Sequence, residues 1–190
     1  MRIAIIGGIG SGKSEVMKIA NERGFFCISA DEINSELLKT PSYIQKIQTA
    51  FPAAVRNGEV DKKTLASIVF SNESERKKLN AIAHPEIMRK IAEYAQSPLA
   101  VELPLFIEGG DEAFDEIVYV RTPLLTRIAR LKKGRGMSVT QAIRRIRSQV
   151  PSSILMAKST QIIDNKGSLD KLKKRATVLF DKILEKHKEI

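Results

Sequence analysis

A chain of 190 residues, 43% hydrophobic and 28% charged, can bury one sizeable core with a small insertion but is too short for two full α/β domains. Its formal net charge of +10 points to an anionic ligand, its single cysteine, Cys27, excludes an internal disulfide, and no apolar run approaches the roughly 20 residues of a membrane helix. With no signal peptide ahead of a first strand that starts at Arg2, a soluble cytoplasmic protein with no membrane partner is expected.

That first predicted strand, Ile3-Ala4-Ile5-Ile6, is a continuous apolar run of the buried type. Directly after it comes Gly7-Gly8-Ile9-Gly10-Ser11-Gly12-Lys13-Ser14, which fits G-x-x-x-x-G-K-[ST]. Val16, Ile19 and Ala20 then recur at helical spacing until Gly24 supplies a C-cap. Strand, loop and helix are the context this pattern needs, since a glycine run alone is only a flexible turn. Gly8, Gly10 and Gly12, with Ser11 among them, let the backbone turn its N–H groups inward, and the helix behind presents its positive end. The expected ligands are ATP or a similar triphosphate and Mg²⁺: Lys13 reaches the β- and γ-phosphates, and the Ser14 hydroxyl holds the metal that bridges them.

A second strand is predicted over residues 25–29, and it delivers Asp31 to its C-terminal end, where open parallel sheets bind their ligands. Asp31 would equally suit the N-cap of a helix over residues 32–38, and position alone does not choose between the two roles. Residues 41–96 read as mostly helical, with breaks near Phe51-Pro52 and Asn57-Gly58, and Asn72-Glu73-Ser74-Glu75 has capping-box spacing. Within this stretch His84 reads as a packed side chain, and Pro85 either begins a helix or kinks one.

Leu99-Ala100-Val101 is the third predicted strand, and Glu102 at its end could help to organise a metal shell. A fourth strand over 115–120 leads into a helix through Leu125, Ile128 and Leu131 that ends near Gly134. Ser138-Val139-Thr140-Gln141 is a second capping box, opening a helix that includes Ile143, Ile146 and Val150. Between Glu116 and Asp164 there is no acidic residue against ten Lys and Arg, so something anionic is expected to meet this segment unless it is simply a solvated face. Two helices around the tip Lys132-Lys133-Gly134-Arg135-Gly136 suggest a glycine-hinged lid that closes over phosphates, or else a fixed basic hairpin for nucleic acid. Residues 161–164 form the fifth predicted strand, and Leu169, Leu172, Ala176, Leu179 and Ile183 stripe a last amphipathic helix.

Taken together these landmarks resemble the dephospho-CoA kinase family along nearly the whole chain. They are GGIGSGKS, Ala30-Asp31, Leu79-Asn80 with His84-Pro85, Pro104-Leu105 with Glu108, Arg145-Ile146 with Gln149, and Ile163-Asp164-Asn165 with Gly167. The resemblance implies an α/β P-loop kinase fold: a five-stranded, mainly parallel sheet between helices, in one domain over 1–190 with a helical substrate-binding insertion about 39–97 and a lid about 127–150. It also implies transfer of the γ-phosphoryl group of ATP, with Mg²⁺, to the ribose 3′-hydroxyl of dephospho-CoA. By the same resemblance Asp31 is the base that takes the hydroxyl proton, His84 contributes to the acceptor site, and Asn165 lies in the block associated with the ATP base. Arg145 corresponds to a lid arginine, whose guanidinium fork suits phosphate oxygens.

Departures from the family pattern fall at Ser29, at Gly134-Arg135-Gly136 in place of an arginine followed by aspartate, and at Leu155 and Thr160. They leave open whether Arg130 or Arg135 completes the phosphate clamp. Rival readings are a P-loop kinase for another small acceptor and an ATP-switched nucleic-acid-binding protein. Three tyrosines, seven phenylalanines and no tryptophan leave the latter few side chains for base stacking, and no nucleic acid is expected as a partner.

Overall fold

The computed structural model describes residues 1–103 and 110–188, and the chain divides into two compact units, Met1–Ser29 with Gln96–Ile190 and Ala30–Ala95. The chain starts with β1 (Arg2–Ile6), α1 (Lys13–Glu22) and β2 (Phe26–Ser29). The second unit follows with α2 (Ala30–Leu37), α3 (Pro41–Ala50), β3 (Val55–Arg56), β4 (Glu59–Val60), α4 (Lys62–Ser71) and α5 (Glu73–Glu93). The first unit then resumes with β5 (Leu99–Leu103), β6 (Glu116–Arg121), α6 (Leu124–Arg135), α7 (Val139–Arg147), α8 (Ser152–Lys158), β7 (Gln161–Asp164) and α9 (Leu169–Lys186). Pro104, Leu105 and Glu108, part of the family resemblance, lie outside the described residues.

In the first unit five strands pair in the order β2-β5-β1-β6-β7, and every ladder is parallel. β1 takes the centre because its run is apolar on both faces: Ile3, Ala4 and Ile5 are fully buried. One face carries Ile3, Ile5, Val118, Val120 and Ile163 into a single core with Val16, Ile19 and Ala20 of α1 and Leu172, Ala176, Phe180 and Ile183 of α9. The alternate residues Ala4, Ile6, Ile117 and Tyr119 are buried as well, as a sheet flanked by helices requires. With β5 on one side and β6 on the other, β1 is where the strand order changes direction, and the crevice beyond its carboxyl end is where such sheets bind ligands.

The second unit is helical apart from one hairpin. Asn57 and Gly58, with φ of 51° and 78°, form the two-residue turn between β3 and β4, a pairing that favours positive φ at both positions. Ile33 and Leu37 of α2, Tyr43 and Ile47 of α3, Leu65 and Val69 of α4, and Ile87 and Ile91 of α5 are buried, and the Tyr43 hydroxyl donates to Asn34 Oδ1 at 3.0 Å. Pro85 neither begins nor ends a helix, for α5 runs through it over 21 residues.

Several local expectations are corrected. Helix α2 starts at Ala30, so Asp31 lies inside its first turn and is not its N-cap. Gly134 does not end α6; the helix continues to Arg135, and Gly136, at φ 62°, is the left-handed residue that closes it. Val150 lies beyond α7, and α8 was not anticipated, its seven residues being too few for a clear period. Among the described residues no helix is long and apolar enough to cross a membrane.

Candidate active site

The loop between β1 and α1 is held in its curve by its own backbone. Gly10 and Gly12 take left-handed φ values of 75° and 92°, and the Ser11 N–H donates to the Gly8 carbonyl at 3.1 Å. Gly12 is the N-cap of α1: its carbonyl accepts from the N–H groups of Glu15 and Val16, both at 3.2 Å. A Cβ at Gly12 would fall 2.4 Å from Asn165 Nδ2, so both backbone conformation and space require glycine there. Lys13 Nζ donates back to the Gly7 carbonyl at 2.8 Å and stands 3.8 Å from Glu102 Oε1 at the end of β5. Ser14 is exposed in the first turn of α1, where N–H groups have no carbonyl of their own helix to bond.

The Ser11 carbonyl is one of the points that tie the loop to the rest of the unit. It accepts from Thr122 Oγ1 at 2.8 Å, Asn165 Nδ2 at 2.7 Å and Arg130 Nη1 at 3.3 Å. Asn165 is 3% exposed, and its Oδ1 accepts from Arg130 Nη2 at 3.2 Å, which closes the group. Parallel pairing puts it there: Asp164 ends β7 opposite Arg121, and the Asn165 N–H donates to the Arg121 carbonyl at 2.8 Å. Arg121 grips the Asp164 carboxylate with Nε at 2.6 Å and Nη2 at 2.8 Å, and these hydrogen bonds hold the carboxyl below its usual range. The Ser11 hydroxyl is buried without a hydrogen-bond partner among the described residues.

Ile9 is fixed from the opposite side. Its carbonyl accepts from Arg127 Nε at 2.8 Å, and its N–H donates to Gln149 Oε1 at 2.8 Å. Thus Gly8, Gly10, Ser11, Gly12, Lys13 and Ser14 lie on one loop with Asn165 bonded to it, and Thr122, Arg127 and Gln149, of which the sequence reading named only Gln149, as part of a family landmark, bond the same loop. The available signal was the spacing of Arg127 and Arg130, three apart on one helix and therefore on one face. Thr122 carried no signal.

Arg130 reaches the loop, and Arg135 stands exposed in the last turn of α6. Arg145 is exposed on α7. Asp31 and His84 belong to the second unit: Asp31 is exposed, and His84 is partly buried on α5, with burial pushing its imidazole below the usual range. Leu155 is buried, and Thr160 Oγ1 bonds Glu116 and the Ile117 N–H, so these two departures serve packing of the sheet. Arg121 pairs with Asp164 at the surface, whereas Arg127 and Arg130 bond the loop and Asn165 within the first unit.

The dephospho-CoA kinase family model matches residues 1–171. A dephospho-CoA kinase of Corynebacterium glutamicum is 32% identical over 197 residues, covering 98% of each chain. One of Carboxydothermus hydrogenoformans is 33% identical over 192 residues, covering 95% of this chain and 93% of the relative. Among solved structures, a dephospho-CoA kinase from Campylobacter jejuni aligns with a TM-score of 0.62 at 27% identity over 96% of each chain. A shikimate kinase from Acinetobacter baumannii, at 16% identity and a TM-score of 0.56 over 97% of this chain and 90% of its own, shares the fold alone. A loop built for phosphate at the switch point of a parallel sheet, together with these full-length matches, establishes that the chain belongs to the dephospho-CoA kinase family.

Proposed function

We infer that this chain transfers the γ-phosphoryl group of ATP to the 3′-hydroxyl of the ribose of dephospho-CoA, giving coenzyme A and ADP. The observation that carries the reading is the glycine loop, curved by Gly10 and Gly12 and anchored through the Ser11 carbonyl, within a chain whose relatives of that activity match it end to end. Phosphoryl transfer demands little covalent chemistry of the protein, which must align the reactants and stabilise charge. Lys13, drawn onto the loop by the Gly7 carbonyl, is the cation for the β- and γ-phosphates. Asn165 stands beside the loop, in the block that serves the nucleotide base.

The exposed hydroxyl of Ser14, next to Lys13 at the start of α1, fits a cation carried on the phosphates and is the group of this chain that would hold it. Mg²⁺ bound there supplies charge neutralisation to the transferred group. Asp31, an exposed residue in the first turn of α2, takes the proton of the acceptor hydroxyl. The helical segment 39–97, with the partly buried and mainly neutral His84, receives the acceptor, and the segment 127–150, with Arg145, closes over the phosphates. The cytoplasm, where ATP is available, is the compartment that suits this chemistry. The test is incubation with ATP, Mg²⁺ and dephospho-CoA with identification of the product; chelation of the metal with EDTA should reduce transfer to background. Consumption of ATP without a 3′-phosphorylated product would refute the acceptor.

A further inference from the structure

Both backbone polar groups of Ile9 are taken by side chains more than a hundred residues away, the N–H by Gln149 Oε1 and the carbonyl by Arg127 Nε, each at 2.8 Å. Arg127 Nη2 donates to the same Gln149 oxygen at 3.0 Å and closes a triangle around the Ile9 peptide. Arg127 lies in the first turn of α6 and Gln149 just beyond α7, so this triangle clasps both ends of the helical pair to the phosphate loop. Arg127 is only 8% exposed, and its hydrogen-bond partners among the described residues are neutral oxygens. Burial accordingly holds its guanidinium below its ordinary pKa. A desolvated cation without a counter-charge costs stability, so its hydrogen bonds must compensate. The guanidinium lies against the loop so closely that a Cβ on Gly8 would fall 2.2 Å from its Nη2.

We propose that Arg127 and Gln149 are positioning residues of the nucleotide site, which lock the Ile9 peptide so that the loop holds its phosphate-accepting curve before ATP arrives. The required feature is the fork: Nε and Nη2 bond two different oxygens at once, which an ammonium at the same place cannot reproduce. Neither residue needs to touch ATP. The proposal rests on the reading of the loop as an ATP site, and the experiment separates the two.

ATP affinity is measured by calorimetric titration, and amide hydrogen exchange of residues 8–12 is followed in the nucleotide-free protein, for wild type, Arg127→Lys, Gln149→Leu and the double variant. Each single change is expected to weaken ATP binding by about tenfold, the scale of one or two lost hydrogen bonds, and to speed exchange across the loop. Because both changes open the same triangle, the double variant should lose no more than the weaker-binding single variant, within about twofold. Wild-type affinity in Arg127→Lys would overturn the proposal by showing that charge alone suffices, as would unchanged loop exchange, or single losses that multiply in the double variant. Should Arg127→Lys fail to fold, Gln149→Leu decides by the same two readouts. Failure of wild type itself to bind ATP would refute the functional reading, while the exchange data would still judge the clasp.

Discussion

Two side chains carry the proposed chemistry at the scale of single residues. Lys13 is tied to the Gly7 carbonyl at 2.8 Å, so its charge is positioned by the loop itself. Lys13→Ala should nearly abolish turnover while the melting temperature stays close to wild type, because the loop is anchored independently through Ser11 and Ile9. Near wild-type turnover in the folded variant would remove the loop from the reaction. Asp31 is separable from a structural role for a related reason. Since α2 starts at Ala30, no N-cap is lost in Asp31→Asn, and the carboxylate's favourable interaction with the helix dipole is worth a few tenths of a kcal/mol. If it accepts the proton, kcat should fall by roughly 10²–10⁴-fold with ATP binding intact. A variant that melts like wild type and turns over within a few-fold of it would end the general-base assignment.

At the scale of elements, the junction of α6 and α7 shows how local signals can be right in kind and displaced in place. Two glycines flank Arg135, and periodicity cannot say which one stops the helix. Gly134 remains helical and Gly136 turns, and nothing lies within 4 Å of a Cβ at either position. The two substitutions should therefore differ in sign. Gly134→Ala gains helix propensity and should stabilise by about 0.5–1 kcal/mol, whereas Gly136→Ala forces a side chain into the left-handed region and should destabilise by about 1–2 kcal/mol. Urea melts of the two variants check this, and equal signs would contradict the observed helix end. The Ser138 capping box behaves differently: both of its reciprocal hydrogen bonds form, because the motif is complete within four residues.

For the molecule as a whole, stability depends on the face of the sheet covered by α1 and α9. Phe180 of α9 is fully buried in that core, its ring 5.4 Å from that of Phe25 and tilted by 54°. Phe180→Ala should cost about 3–5 kcal/mol, a large part of the 5–15 kcal/mol available to a domain of this kind. The residue lies on a different helix from every loop contact described above, so the folded variant should bind ATP with unchanged affinity. Denaturant unfolding and calorimetric titration together test this, and a stability loss below about 1 kcal/mol would show that α9 is not the support inferred for the sheet.

What the sequence determined alone is what short stretches can specify: a buried first strand, a phosphate loop with its lysine and serine, the fifth strand with Asn165 after it, and the amphipathic α9. Each rests on neighbours within a few residues, where backbone geometry and side-chain period act directly. The hairpin at Asn57-Gly58 was legible only as a break, because strands of two residues are too short to show alternation. Tertiary structure decided the strand order, and through it which distant groups reach the loop. Asn165 and Ser11 are 154 residues apart, and Gln149 and Ile9 are 140 apart. Their hydrogen bonds depend on parallel crossovers bringing β7 and the end of α7 to the carboxyl edge of β1, and no local pattern records that approach.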